Sequence, residues 1–248
     1  MIVIRSAAEI EIMRRSNRAV ARILGQLKDL VKDGVVTQDL ERVAEEATRK
    51  TGGTPAFKGY KGYPASLCVS VNEEVVHGIP GPRTLVRGDI VSMDFGIYLD
   101  GYFGDAALTV GVDGVTETAR TLMDVTEQSL YKGIEQARAG NRLYDISHAI
   151  ESWVTSFGFS VVRDFVGHGI GSSLHEEPQV PNYGPKGQGP RLQPGMVLAI
   201  EPMVNVGTWK VKVLDDGWTV VTADRSLSAH FEHTIAILSD GPEILTLS

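Results

Sequence analysis

The feature of the chain that most constrains its fold is an internal repeat. The pattern Leu85-x-x-Gly88 is followed six residues later by a carboxylate, and the same pattern returns 107 positions further on, where it ends at Glu201. Four pairs of residues match at spacings of 106 or 107 positions: Gly34 and Gly140, Gly52 and Gly158, Gly88 and Gly195, and Asp94 and Glu201. Because both halves offer helices, a strand and a carboxylate in the same order, we predict one α+β domain with two pseudo-symmetric halves, about residues 1–112 and 113–248. Its antiparallel strands are expected to curve around a central cleft, with the helices outside.

The periodicity of apolar residues supports this layout. Helical spacing predicts two helices in each half, over about residues 7–32 and 37–52 and then over 116–140 and 143–158. Strands are predicted at 67–71, around 160–166 and at 230–238, besides a hairpin around residue 100.

That hairpin is the strongest local signal in the chain. The Asp-Gly step at 100–101 lies between two β-rich runs and predicts a two-residue loop, which sets Gly96 opposite Asp105. Asp94 and Asp105 then share one face as diagonal neighbours, roughly 7–8 Å apart at Cα. No Lys or Arg occurs within residues 88–119, so a bound metal ion is a candidate to separate their charges. The alternative is two solvated carboxylates on an exposed hairpin, and the hairpin alone does not decide.

Other residues add ligand chemistry to this pair. Glu201 is the repeat partner of Asp94, and Glu232 lies in a predicted strand. His168 stands between two glycines, and His77 shares its Gly-Ile context. Carboxylates with one imidazole suit divalent first-row metals rather than soft copper or an iron–sulfur cluster. Four carboxylates are more than one such ion needs, but they suit two ions with shared ligands.

Composition excludes several other classes of protein. The net charge of −7 argues against a dedicated nucleic-acid binder. A single cysteine, Cys68, rules out an internal disulfide and fits a reducing compartment. The sequence shows neither a signal peptide nor an apolar run of the ~18 residues that a membrane helix needs. We therefore expect a cytoplasmic protein that does not bind membranes.

Seven stretches of the chain resemble type I methionine aminopeptidases, which belong to the "pita-bread" metallopeptidases. The stretches, in the order of that family, are 58–64 (Lys-Gly-Tyr-Lys-Gly-Tyr-Pro), 70–80, the hairpin 94–105, 167–171 (Gly-His-Gly-Ile-Gly), 174–183, 199–203 (Ala-Ile-Glu-Pro-Met) and 231–234 (Phe-Glu-His-Thr). They spread across nearly the whole chain, so the resemblance is specific. It implies the pita-bread fold, with a curved antiparallel sheet around a central metal cleft.

The resemblance also implies a metal centre. Its five ligands would be Asp94, Asp105, His168, Glu201 and Glu232. They would hold two divalent ions, and Fe²⁺, Mn²⁺, Co²⁺ and Zn²⁺ all suit such a site. His230 shares the strand face of Glu232, stands where many relatives carry Gln, and is a candidate to support a ligand by a hydrogen bond.

The residues of the substrate site follow from the same resemblance. The pocket for methionine or its rim would be formed by Phe57, Tyr60, Tyr63, Cys68, His77, Leu174, His175, Met203 and Trp218. His77, His175 and Glu201 would be catalytic: the two histidines lie beside the substrate amide, and Glu201 carries a proton from water to the leaving amine. Phe57 stands where many relatives carry a smaller residue, and Leu174 stands where many carry Phe. These two differences concern the shape of the pocket rather than the reaction.

The activity implied is removal of N-terminal methionine from peptides and nascent chains whose second residue is small, by a water that two metal ions activate. Two alternatives remain open at this point. One is an Xaa-Pro-specific peptidase of the same fold, and the other is a non-catalytic peptide-binding relative. The motifs at 58–64 and 174–179 favour methionine. We expect a monomer that does not bind nucleic acid directly, with association with the ribosome left open.

Overall fold

The computed structural model describes residues 1–247 and consists of four long helices against a curled antiparallel sheet, which is the pita-bread fold. The helices are α1 (Ala7–Leu30), α2 (Thr37–Thr51), α3 (Glu117–Gln136) and α4 (Leu143–Ser156). Among the described residues, the helices lack the length and apolar character that crossing a membrane requires.

Local signals account for most helix boundaries. Ser6 caps α1 in a capping box with Glu9, and the left-handed residue Gly52 ends α2. Thr37 is the first residue of α2, and the N-cap before it, Val36, makes no side-chain cap hydrogen bond. The Thr37 hydroxyl exchanges hydrogen bonds of 3.0 Å with the backbone of Gly81, so it ties the helix start to a neighbouring loop.

Fifteen short strands complete the described fold. They are β1 (Thr54–Pro55), β2 (Cys68–Val71), β3 (Glu74–Val76), β4 (Ile90–Leu99), β5 (Tyr102–Gly111), β6 (Ser160–Val161), β7 (Gly167–Gly169), β8 (Glu176–Val180), β9 (Val197–Ile200), β10 (Met203–Asn205), β11 (Val211–Val213), β12 (Val220–Thr222), β13 (Ser228–His230), β14 (Glu232–Ile237) and β15 (Pro242–Ile244). The main sheet has the order β1-β4-β5-β14-β9-β7-β8, with β2 also paired to β4 and β15 to β14. Two three-stranded sheets, β13-β10-β6 and β11-β12-β3, flank it.

Each pair of helices covers its own part of the main sheet. Apolar side chains of α1 and α2 pack on β2, β4 and β5 around Met93 and Phe95. Those of α3 and α4 pack on β9 and β14 around Leu198 and Ile235. The sheet therefore places β4 and β5 on one side of its centre and β14 and β9 on the other, in mirrored order. The boundary of the halves near residue 112 stays a prediction.

Within the main sheet, the two sides meet at a short seam between β5 and β14. Only Ala106 and Ala107 of β5 pair with β14 in the ladder. Two buried threonines extend the contact: the Thr234 hydroxyl donates to the backbone carbonyl of Asp105, and the Thr109 hydroxyl donates to that of His230, each at 2.7 Å. Side-chain hydrogen bonds thus replace a longer ladder here.

Candidate metal centre

The β4–β5 hairpin forms as the Asp-Gly step predicts. Asp100 and Gly101 occupy the loop with φ values of 54° and 90°, which is the left-handed region such turns require. Gly96 lies opposite Asp105 in the ladder, so the predicted register is confirmed. Asp94, two residues before Gly96, projects from the same face as Asp105.

Five side chains converge in front of the sheet. Asp94 and Asp105 come from β4 and β5, while Glu232 begins β14, His168 lies in β7 and Glu201 directly follows β9. All five line one cavity of about 290 Å³. One ligand atom each of Asp105, His168 and Glu232 lies within 4.8 Å of the others. The cavity thus joins ligating groups from both sides of the seam.

The tautomer of His168 suits a metal ligand. Its Nδ1 lies 2.9 Å from the backbone carbonyl of Gly169, and because a carbonyl only accepts, Nδ1 carries the proton. Burial lowers the pKa of His168 to about 4, so the ring is neutral and Nε2 has a free lone pair. That Nε2 lies 3.5 Å from Oε1 of Glu201, which is also an acceptor. When the Glu201 carboxylate is ionised, both atoms are acceptors, and a shared cation would satisfy them.

The carboxylates lead to the same conclusion. Burial raises the pKa of Asp94 to about 7. Burial and, after it, the charges of neighbouring carboxylates raise the pKa values of Asp105, Glu201 and Glu232 well above their ordinary values. Asp94, Asp105 and Glu232 each have one buried oxygen without a hydrogen-bond donor in residues 1–247. Buried acceptors without donors, gathered in one cluster, are what a divalent cation satisfies, so these residues fit the metals.

His230 lies beside this cluster. Its Nε2 is 3.9 Å from Oε2 of Glu201 and has no hydrogen-bond partner in the described part of the chain. Burial lowers its pKa to about 3, so the ring is neutral. The backbone N–H of His230 donates to the Thr109 hydroxyl at 3.0 Å. His230 is therefore near a ligand, but the predicted direct hydrogen bond to one is not formed.

The cavity continues from the carboxylates into a pocket with mostly aromatic walls. Eight of the nine predicted pocket residues line it: Phe57, Tyr60, Tyr63, Cys68, His77, Leu174, His175 and Trp218. Tyr63 meets Trp218 edge-on with ring centroids 5.2 Å apart, and His77 meets Phe165 in the same way at 5.4 Å. These contacts fix the rings relative to one another and leave an apolar space beside the ligands.

Met203 is the predicted pocket residue that the structure places elsewhere. It is fully buried among Val75, Val162 and Val220, outside the lining of the cavity. The main-sheet strand β9 ends at Ile200, and β10, which Met203 begins, belongs to a different sheet. Met203 is therefore the one predicted pocket residue that does not line this cavity, and its place in the methionine pocket, which the family resemblance implies, stays a prediction.

Two lining residues were missed in the sequence. Lys61 follows Tyr60 at the cavity, with a φ of 50° and its ammonium 5.4 Å from the centroid of the Tyr60 ring. The position of Lys61 between the predicted pocket residues Tyr60 and Tyr63 could have indicated that it also lies at the cavity. Phe165 lies in the bend before β7, where no periodic pattern fixes the direction of a side chain.

Gly96 explains how the chain accommodates Phe57. A Cβ at position 96 would lie 2.8 Å from the Phe57 ring, closer than real contacts allow. The glycine therefore lets this ring, which is 8% exposed, lie flush against β4. Because Gly96 also faces Asp105, the wall of the pocket and the first two ligands share one stretch of backbone.

The segment 171–176, which carries Leu174 and His175, is anchored to the start of the chain. One guanidinium nitrogen of Arg5 donates to both oxygens of the Glu176 carboxylate, at 2.5 and 2.6 Å. The side chains of Arg5 and Glu176 are only 8% and 11% exposed. The backbone N–H of Ser173 adds a third hydrogen bond to Glu176 at 3.1 Å. This buried ion pair fixes the backbone of the segment that carries His175.

His175 itself faces Tyr60 and His168. Its Nδ1 lies 2.9 Å from the Tyr60 hydroxyl, and its ring centroid is 4.2 Å from that of His168. Desolvation at the cavity wall, and then the proximity of the His168 ring, lower the pKa of His175 to about 3, so the ring is neutral. A neutral imidazole at this place can donate one hydrogen bond into the cavity.

Comparison with known proteins places the whole chain in one group. The family model described as metallopeptidase family M24 matches residues 11–239. A methionine aminopeptidase of Clostridium perfringens is 56% identical over 247 residues, which is 100% of this chain and 99% of that protein. The crystal structure of a methionine aminopeptidase from Thermotoga maritima is similar with a TM-score of 0.99 at 49% identity, over 100% of both chains.

A second group of structures is similar in fold alone. The prolidase from Pyrococcus furiosus has a TM-score of 0.81 at 20% identity, and the match covers 99% of this chain and 66% of the prolidase. The match to the prolidase therefore supports the fold of this chain and nothing finer.

Proposed function

The chain belongs to metallopeptidase family M24, and we propose that it is a type I methionine aminopeptidase that removes N-terminal methionine from peptides and nascent proteins. The observation that carries this proposal is a single cavity that joins five metal-ligating side chains to an aromatic pocket. The full-length identity of 56% to a methionine aminopeptidase supports it.

The metal centre would be held by the five side chains that converge on the cavity. Bound there, two divalent ions of the Fe²⁺, Mn²⁺, Co²⁺ or Zn²⁺ type would lower the pKa of a bound water and polarise the substrate carbonyl. The chain supplies the neutral Nε2 of His168 and the oxygens of Asp94, Asp105, Glu201 and Glu232, several of which have no hydrogen-bond partner among residues 1–247.

Three side chains would perform the proton and charge chemistry. Glu201, whose pKa burial raises, suits the transfer of a proton from the attacking water to the leaving amine. The neutral ring of His175 would donate to the oxyanion that develops on the substrate carbonyl. His77, half-buried between Phe165 and Trp218, would contact the amide of the scissile bond.

The pocket would bind methionine mainly through shape and burial. Its walls are aromatic rings together with Leu174 and Cys68. Burying a methionine side chain contributes about 1.5–3 kcal/mol, and sulfur–aromatic contacts add about 0.3–1.5 kcal/mol. We expect second residues of small size to be accepted, as in the family the sequence resembles. The monomeric state, the cytoplasmic location and any association with the ribosome stay predictions.

Metal analysis and a substrate panel test the proposal. Protein purified without added metal is expected to contain divalent transition metal, and the Glu232→Ala variant to contain markedly less. The parent protein is expected to release methionine from Met-Ala-Ser, and to release little from Met-Lys-Ser or from an Ala-Pro peptide. Faster cleavage of the Ala-Pro peptide than of Met-Ala-Ser would favour the Xaa-Pro alternative. Full metal content without hydrolysis of either peptide would favour a binding protein.

A further inference from the structure

A hydrogen bond joins Tyr60 to His175 at the wall of the cavity. The Tyr60 hydroxyl lies 2.9 Å from Nδ1 of His175. The two rings stack with centroids 5.2 Å apart and planes at 25°. Within residues 1–247, Nδ1 of His175 is the one hydrogen-bond partner of this hydroxyl. The phenol therefore contacts His175 both by its face and by its oxygen.

The chemistry of the two groups sets the direction of this bond. A phenolic O–H is a strong donor, and the lone pair of a neutral imidazole is a far better acceptor than a phenolic oxygen. Tyr60 therefore donates and Nδ1 of His175 accepts. A neutral imidazole carries one ring proton, so the proton of His175 is on Nε2.

The same bond also fixes the rotation of the ring. If the His175 ring turned by half a revolution about its Cβ–Cγ bond, a carbon would face the Tyr60 hydroxyl and the hydrogen bond would be lost. Oxyanion stabilisation needs an N–H donor about 3 Å from the oxygen that becomes charged. Both the protonated nitrogen and its direction thus depend on the Tyr60 hydroxyl.

We propose that Tyr60 is a positioning residue for the hydrolysis, whose hydroxyl holds His175 with the protonated Nε2 directed at the reacting carbonyl. This inference rests on the proposed function, because the carbonyl is that of the methionyl peptide. The Tyr60 hydroxyl acts through His175, while the Tyr60 ring stays part of the pocket wall, so removing the hydroxyl alone should lower kcat and leave the binding of methionine nearly unchanged.

Tyr63 provides a matched control in the same cavity. Its hydroxyl donates to the backbone carbonyl of Gly78 at 2.9 Å and lies 3.2 Å from that of Leu67, without contact to His175. Tyr60→Phe and Tyr63→Phe therefore remove the same atom from two neighbouring rings, and only the first removal touches His175.

A double-mutant cycle on the metal-loaded protein separates positioning from a general effect on the pocket. Tyr60→Phe is expected to lower kcat on Met-Ala-Ser by roughly tenfold, as for other hydrogen bonds that orient a functional histidine, with KM within about twofold. In the His175→Ala background the same substitution is expected to change kcat by less than about twofold. Tyr63→Phe is expected to have the same effect in both backgrounds. Equal losses for Tyr60→Phe in both backgrounds would overturn the proposal.

Nuclear magnetic resonance tests the bond itself, independently of turnover. Protein labelled with ¹⁵N in its histidine rings and loaded with diamagnetic Zn²⁺ is expected to show, for His175, a protonated Nε2 and an unprotonated Nδ1. The signal is assigned by its disappearance in His175→Ala. Tyr60→Phe is expected to shift the Nδ1 signal, whereas Tyr63→Phe leaves it in place. A proton on Nδ1 in the parent protein would refute the inference. A parent protein with the expected spectrum that cleaves no methionyl peptide would instead refute the proposed function.

Discussion

Breaking the buried ion pair between Arg5 and Glu176 is expected to destabilise the fold, and the burial of the two side chains determines how large the loss of free energy is. Arg5→Met keeps most of the volume of the side chain and removes the charge. Glu176 then stays only 11% exposed, with the backbone N–H of Ser173 as a remaining donor. Removing one partner of a buried pair costs about 3–5 kcal/mol, and because this donor remains we expect a value near the lower end, about 3 kcal/mol.

Urea unfolding of the metal-loaded protein measures this change. With a slope of about 3 kcal/mol per M, a loss of about 3 kcal/mol lowers the midpoint by about 1 M. Arg15→Met is the matched control, because the Arg15–Asp100 pair is 64% and 47% exposed and should contribute less than about 1 kcal/mol.

A second substitution tests the cause. In Arg5→Met combined with Glu176→Leu, no unpaired charge stays buried, so the double variant should be more stable than Arg5→Met alone. The reasoning is wrong if Arg5→Met shifts the midpoint no more than Arg15→Met does. It is also wrong if the double variant is less stable than either single one.

Three further predictions concern the candidate metal centre. Glu201→Gln is expected to reduce kcat to background while the melting temperature stays within a few degrees, and an unchanged kcat with metal bound would contradict its role. His175→Ala is expected to keep its metals and to lose kcat about a hundredfold, whereas a metal-poor variant rescued by excess Mn²⁺ would show that His175 is a ligand. Chelation should lower the melting temperature more near pH 8 than near pH 5.5. The reason is that the pKa of Asp94 is raised to about 7 in the fold, against about 4 in the unfolded chain. The metal-free fold therefore loses stability as the pH rises from about 4 to about 7. An equal drop in melting temperature at both pH values would count against this reasoning.

Much of the metal centre was predictable because its signals are local. The Asp-Gly loop fixes the register of one hairpin, and register together with alternation determines which side chains share a face. The internal repeat then adds Glu201 to Asp94. These inferences depend only on the alternation of side chains along a strand, and that alternation is regular wherever the strand is continuous.

Sequence patterns carry no information where the backbone leaves a regular element. Met203, which the family resemblance assigns to the pocket, follows a proline at which the chain changes sheets, and it lies outside the cavity lining. Phe165 lies in a bend, where no period sets the direction of a side chain. The pairing of Arg5 with Glu176 joins positions 171 apart, and no local pattern in either segment indicates the other.

The short seam between β5 and β14 has a consequence for how fast metal ions would exchange. Asp94 and Asp105 lie on one side of it, and His168, Glu201 and Glu232 lie on the other. Within the main sheet the two sides pair over two residues and two threonine hydroxyls, while the β3–β12 pairing and a shared apolar cluster join them elsewhere. A local opening of the main sheet at the seam would remove several ligands from an ion in one event. We expect metal exchange to follow the rate of this opening rather than the stepwise loss of single ligands, and Thr234→Val to accelerate exchange without any change in the ligands themselves.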